Sequence, residues 1–187
     1  MKHDVSKTKP FFYFLSFFFI FTGAATVFAL VFNLFGPPEL YETGKHPLDV
    51  AIYDLNSDSN LDVVTANRDG RSISVFMGNG DGTLAPLNEI ATDGGATSIA
   101  VADMNSDGKA DLVVSTCEEM CDASHIAIFT GKGDGLFEPF SETRIEGVAY
   151  NILLADFNSD ALPDVAASDY PNARIDLLLS TSEPGKF

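Results

Sequence analysis

The feature that most constrains the fold of this chain is an internal threefold repeat. Three 19-residue segments align without gaps: LDVAIYDLNSDSNLDVVTA from Leu48, TSIAVADMNSDGKADLVVS from Thr97 and YNILLADFNSDALPDVAAS from Tyr150. The copies start 49 and 53 residues apart, and the longer second copy carries extra residues around 117–121. Each copy is therefore predicted to form one structural unit, with boundaries at about residues 48–96, 97–149 and 150–187.

Short apolar runs separated by turn residues predict that every copy is built from β-strands. In the second copy, Ile99 and Val101 precede an acidic segment, residues 112–114 follow it, and residues 126–129 form the next run before a Gly-rich turn. Such runs are typical of antiparallel sheets. The predicted fold class is all-β, after one N-terminal helix.

Each copy contains an acidic loop of the form D-x-N-x-D-x-x-x-D, whose alternate residues are candidate metal ligands. The candidates at positions 1, 3, 5, 7 and 9 are Asp54, Asn56, Asp58, Asn60 and Asp62; Asp103, Asn105, Asp107, Lys109 and Asp111; and Asp156, Asn158, Asp160, Leu162 and Asp164. Calcium takes about 6–8 oxygen ligands. Positions 1, 3, 5 and 9 are predicted to bind through side chains. Position 7 tolerates Lys and Leu, so its backbone carbonyl is the predicted ligand.

The alternative for a single acidic loop is an Asx-rich solvated turn without metal. Three copies in register favour calcium, because turn propensity alone does not require Asp at positions 1, 5 and 9. The loops are not EF-hands, which need 12 residues and a final bidentate Glu. About three bound calcium ions are predicted.

The acidic loops, the β-run that follows them and a terminal GxGDGxF/L motif together resemble the FG-GAP or VCBS-type repeat of integrin-α-like β-propellers. The motif is present at residues 78–84 and 131–137, whereas the third copy has Thr181 and Glu183 in place of the two leading glycines. The resemblance implies one propeller blade per repeat, calcium held in a hairpin at the blade edge, and an exported adhesion or ligand-binding protein. Propellers typically close with about 4–8 blades, so three copies predict a partial propeller.

The sequence ends inside the third occurrence of this motif. This predicts either that the chain is a truncated fragment of a larger propeller or that several chains associate and share one ring.

Residues 11–35, FFYFLSFFFIFTGAATVFALVFNLF, contain no charge and are long enough to span a bilayer. Lysines precede this stretch and none follows it directly, which predicts a cytoplasmic tail at residues 1–10 and export of the rest. Residues 36–47, rich in Pro and Gly, are the predicted linker. The alternative is a signal peptide cleaved after residues 27–29, which yields a secreted protein.

The charge of the exported part excludes several classes of partner. Asp4 is the single acid among the first 35 residues, so 26 acids and eight bases remain after it. Such a surface repels nucleic acid and anionic headgroups. Cys117 and Cys121 are predicted to form a disulfide, as is usual in exported proteins; free thiols and a metal site are the alternatives.

The predicted function is an adhesion or binding module at the cell surface, with an extracellular protein or glycan as ligand. A structural spacer without a ligand is the alternative, followed by the propeller part of a secreted enzyme. No enzymatic activity is predicted, because His3, His46 and His125 lie far apart in the sequence and no nucleophile–base set is recognisable.

Overall fold

The computed structural model describes residues 36–118 and 123–181. All regular secondary structure among these residues is β-strand. The eleven strands are β1 (Pro47–Tyr53), β2 (Asp62–Asn67), β3 (Ser72–Gly78), β4 (Leu84–Ala91), β5 (Gly95–Ala102), β6 (Asp111–Cys117), β7 (Ala123–Gly131), β8 (Phe137–Glu146), β9 (Ala149–Ala155), β10 (Asp164–Asp169) and β11 (Arg174–Leu178). The prediction of an all-β fold is confirmed.

The strands form three antiparallel sheets in chain order: sheet 1 (β1–β4), sheet 2 (β5–β8) and sheet 3 (β9–β11). Neighbouring strands along the chain pair directly, so each repeat is a meander. The first hairpin of every sheet closes on an acidic loop, because the register pairs Tyr53 with Asp62, Ala102 with Asp111 and Ala155 with Asp164. The predicted antiparallel sheets are confirmed.

Sheet 2 lies between the other two and is covered on both faces. All seven residues of β6 are buried. Leu112 and Val114 join a core cluster with Val64 and Ile73 of sheet 1, whereas Val113 joins a second cluster with sheet 3. A strand covered on both faces becomes apolar throughout, which explains the uninterrupted LVV in β6.

The second half of the predicted linker contacts sheet 1. The ring centroids of Tyr41 and Phe76 lie 6.2 Å apart in an edge-on arrangement, and Gly44 N donates a hydrogen bond to Ser74 Oγ at 3.0 Å. The described residues from Glu39 onward form one compact unit. The polar composition of the linker gave no sign of this contact, because Tyr41 is its one aromatic residue.

The predicted membrane anchor, residues 11–35, and the tail before it lie outside the described residues. Within residues 36–118 and 123–181 there is no helix suited to crossing a membrane. Cys117, at the end of β6, is 3% exposed and disulfide-bonded. Cys121 lies outside the described residues, so its pairing with Cys117 stays a prediction.

Candidate metal centre

The three acidic loops adopt the same backbone conformation. Positions 4 and 6 of every loop are left-handed, with φ between 59° and 81°: Ser57 and Ser59, Ser106 and Gly108, Ser159 and Ala161. This conformation is costly for residues with a Cβ. Only the second loop places glycine at either position, so the other two loops hold side chains in a strained region to keep the same path.

Side-chain oxygens of positions 1, 3 and 5 point toward the loop backbone. In the first loop, Asp58 N donates to Asp54 Oδ1 at 3.1 Å and to Asn56 Oδ1 at 3.0 Å. Ser59 N donates to Asp54 Oδ2 at 2.9 Å, and Asn60 N donates to Asp58 Oδ1 at 2.8 Å. The other two loops repeat these four hydrogen bonds at 2.8–3.1 Å. The loop therefore gathers oxygens of positions 1 and 3 around one amide.

The aspartate at position 9 is buried and joins the loop to the third strand of its sheet. Asp62 is fully buried, and its carboxylate accepts hydrogen bonds from Leu55 N and Gly78 N, both at 2.8 Å. The same pair of bonds links Asp111 to Met104 N and Gly131 N, and Asp164 to Phe157 N and Ser180 N. The sequence pattern had indicated only a metal ligand here.

This hydrogen-bond pattern corrects the alignment of the third copy. The residue that donates to Asp164 Oδ1 is Ser180, at 2.7 Å, so Ser180 and not Thr181 occupies the place of Gly78. The Ser180 hydroxyl donates to the same oxygen at 3.1 Å. A residue with a side chain is tolerated there partly because its hydroxyl adds a bond to the buried carboxylate.

The same bonds set the acidity of several carboxyl groups. The backbone amide of Asn60 and then the Asn56 side chain lower the pKa of Asp58. Burial, followed by repulsion from Asp107 and Asp103, raises the pKa of Asp111 despite two amide donors. At Asp164, burial acts in the same upward direction, but the bonds from Ser180 and Phe157 outweigh it and the pKa is lowered.

The donor set of each loop fits a hard cation, since it offers three carboxylates and an amide oxygen within nine residues. Every carboxylate oxygen that accepts one amide bond keeps a second lone pair. Among residues 36–118 and 123–181, however, no three acidic, His or Cys side chains already surround one point. Positions 1, 3 and 5 are brought together, and position 9 is directed toward backbone amides.

Position 7 of each loop is joined to position 5, and in the first loop the Asn60 side chain also hydrogen-bonds to Asp58. Its amide donates to position 5 in each loop, from Asn60, Lys109 and Leu162. The Asn60 and Lys109 side chains lie over Gly80 and Gly133 of the following turn. These glycines have positive φ, 75° and 82°, which explains their place in the repeated motif.

A groove of about 510 Å³ lies between the first and second acidic loops. Its lining includes the carboxylate residues Asp54 and Asp103, the cationic Lys109, and the apolar side chains of Tyr53 and Leu61. Tyr53 and Leu61 are 44% and 66% exposed. Mixed charge and exposed apolar surface in one groove are suited to contact with a ligand.

Three consecutive antiparallel sheets, each closed by the same acidic hairpin loop, define a β-rich repeat protein. Residues 54–114 match the FG-GAP-like repeat family, and this match supports an FG-GAP-type repeat protein. The matched segment begins at the first aspartate of one acidic loop and extends through the whole of the next. No curated protein matches the chain. The family match supports, at its most specific, a ligand-binding or adhesion-type module.

Proposed function

We propose that this chain is an extracytoplasmic, calcium-binding repeat module for adhesion or ligand binding, built as a partial β-propeller with one blade per sheet. One observation carries the proposal: the same loop, with three carboxylates, occupies the same hairpin of all three sheets. Repetition of a costly left-handed backbone at positions 4 and 6 supports a role beyond that of a simple turn.

Calcium is favoured by charge as well as by ligand type. Each loop carries three carboxylates within nine residues, and Lys109 is the only basic side chain in the three loops. Three like charges so close together repel one another, and a divalent ion offsets that repulsion. We propose one ion per loop, held by the side chains of positions 1, 3, 5 and 9 and by the backbone carbonyl of position 7.

The proposed ligand surface is the end of the sheets that carries the acidic loops. It consists of the groove between the first two loops, which is lined by the exposed aromatic residue Tyr53. We propose an extracellular protein or glycan as the ligand, with residues 11–35 as a membrane anchor that exports the repeats. The net charge of −16 argues against nucleic acid. We propose no enzymatic activity, because the clustered acids are engaged by backbone amides.

Calcium binding is tested by titration calorimetry and thermal unfolding of the full chain in detergent. Extracellular calcium modules have dissociation constants of about 10⁻⁴–10⁻³ M. At tenfold excess over the dissociation constant, each site should stabilise the fold by about 1.4 kcal/mol. Asp107→Ala should reduce the stoichiometry from three ions to two, whereas Glu42→Ala, outside the loops, should leave three. An identical melting temperature in calcium and in chelator would contradict the proposal.

Ligand binding is tested on glycan and matrix-protein arrays with the full chain in calcium. Tyr53→Ala should weaken a genuine interaction, because Tyr53 lines the groove. Leu40→Ala is the matched control, since Leu40 is 87% exposed and lies outside the groove. Absence of any binder favours the structural spacer, and turnover in a hydrolase screen favours the enzyme.

A further inference from the structure

Sheet 3 exposes an apolar patch on the face that points away from sheet 2. This patch, which we call the sheet 3 patch, consists of Leu153, Phe157, Ile175 and Leu177. These side chains are 68%, 52%, 74% and 50% exposed. Leu153 and Leu177 flank Ala166 in adjacent strands, so the patch is continuous across the sheet. Contiguous apolar surface of this kind marks an interaction site.

The equivalent residues of the other two sheets are buried in the contacts between sheets. Leu55, Ile73 and Val75 of sheet 1 are at most 3% exposed and join the core cluster shared with sheet 2. Met104, Ile126 and Ile128 of sheet 2 are likewise at most 3% exposed, in the cluster shared with sheet 3. Phe157, Ile175 and Leu177 are the third members of these series and lack a covering sheet within the described residues.

Sheet 1 also exposes apolar side chains on the face that points away from sheet 2. They are Leu48, Val50 and Ile52, which we call the sheet 1 patch. Val50 and Ile52 are 57% and 60% exposed. The residues equivalent to Val50 are Ile99 and Ile152, which are 4% and 3% exposed because they pack against the preceding sheet. The sheet 1 patch therefore has the composition of a surface that packs on a sheet 3 patch.

A polar contact recurs at the same place between sheets. The Asp49 carboxylate of sheet 1 accepts a hydrogen bond from Ile99 N of sheet 2 at 3.0 Å. The Ser98 hydroxyl, at the equivalent position of sheet 2, accepts one from Ile152 N of sheet 3 at 3.3 Å. The next side chain in this series is Asn151, which is exposed. The equivalent donor is Val50 N, which here donates to the adjacent Asp49 Oδ1 at 2.9 Å.

The contacts that sheet 1 already makes leave its first strand free for this arrangement. Tyr41 and Gly44 pack against β3 of sheet 1, where Phe76 and Ser74 lie. They leave β1 exposed, and it is the first strand of each following sheet, β5 or β9, that packs on the preceding sheet. The sheet 2 equivalents of Ser74 and Phe76 are Ala127 and Phe129, which belong to the cluster shared with sheet 1. Tyr41 and Gly44 therefore cover the β3 part of this face, and the contact is confined to β1.

We infer that the sheet 3 patch binds the sheet 1 patch of a second copy of this chain, repeating the internal contact with Asn151 Oδ1 accepting from Val50 N. The interface joins two different surfaces, so it either closes into a ring or extends into a filament. Two copies bring the six sheets of their described residues into series, within the range of about 4–8 in which such rings close.

The geometry is tested by cross-linking Val50→Cys and Asn151→Cys variants of the full chain in detergent with calcium. Within one chain, sheets 1 and 3 are separated by sheet 2, and packed sheets lie about 10 Å apart. Disulfides need Cα atoms about 4.4–6.8 Å apart, so only two copies can form this bond. Mixing the two single variants should give a cross-linked dimer on non-reducing gels, and neither variant alone should do so.

A charge variant supplies the second measurement. Ile52→Lys should reduce the mass measured by light scattering to that of a single copy, whereas Leu40→Lys should not change it. Mixing Ile52→Lys with Leu153→Asp should restore association. A single-copy mass for the unmodified chain, a dimer that survives Ile52→Lys, or an Asn151→Cys chain that cross-links to itself would each overturn the inference.

Discussion

At the residue scale, the aspartate at position 9 of each acidic loop has a structural role that its place in the motif does not predict. Asp62, Asp111 and Asp164 are fully buried and accept two backbone amide bonds each. One of those amides lies 16 or 20 residues further along the chain. A nine-residue motif can identify the carboxylate, but it cannot identify a partner brought in by strand pairing. The loop's oxygen-rich positions were therefore predictable, whereas the buried connection was not.

Asp111→Asn should lower the free energy of unfolding by about 1–3 kcal/mol, because one buried amide donor then faces the Asn Nδ2 group. Urea unfolding in the presence of chelator measures this, so that loss of metal does not contribute. Asp134→Asn, at an exposed turn, is the control and should change little. Equal stability of the two variants would show that the buried bonds contribute nothing.

Ala161→Gly should stabilise the protein by on the order of 0.5 kcal/mol. Ala161 has φ of 69°, and glycine removes the left-handed penalty of about 1–2 kcal/mol while adding unfolded-state entropy. Ala155→Gly, in strand β9, should instead destabilise by about 0.5–1 kcal/mol. Chemical denaturation compares both with the unmodified chain, and a destabilised Ala161→Gly variant is the contrary result.

At the element scale, the strands next to the acidic loops were predictable and the fourth strands were harder to recognise. The apolar alternation of residues 99–101 and 126–129 indicated β5 and β7. β8 contains Pro139 and four charged residues and is largely exposed. Such an edge strand lacks the apolar period on which sequence reasoning depends.

Gly131→Ala tests the close approach of β7 to the second acidic loop. A Cβ at Gly131 would collide with the Ala110 carbonyl oxygen, so the substitution should destabilise the protein by about 1–3 kcal/mol. Gly36→Ala is the matched control, because a Cβ there meets no atom within 4 Å. Melting temperatures of the two variants should differ clearly, and coincident values would disprove the steric argument.

At the scale of the whole molecule, the repeat predicted three units but not which surfaces join them. The contact between Asp49 and Ile99 connects residues 50 positions apart. A single sequence does not show which residues so far apart are in contact. The packing of residues 41–46 on sheet 1 was missed for the same reason. Both contacts depend on neighbours that exist only after the sheets have formed.

The predicted anchor is tested by protease treatment of intact cells that express the full chain. If residues 11–35 hold the repeats outside, as the preceding lysines predict, added protease should remove the repeats without lysis. An N-terminal tag should stay protected. Recovery of soluble repeats from the medium, beginning near Leu30, would instead support a cleaved signal peptide.

The recurring polar contact between sheets has a consequence for the history of the gene. The second repeat contributes one acceptor side chain, Ser98, toward its successor and one amide, Ile99 N, toward its predecessor. Duplication of a whole repeat adds both halves at once and leaves the terminal surfaces chemically unchanged. Unequal recombination could therefore lengthen or shorten the array by one unit without compensating substitutions, so related genes should differ in repeat number more readily than in the residues between repeats.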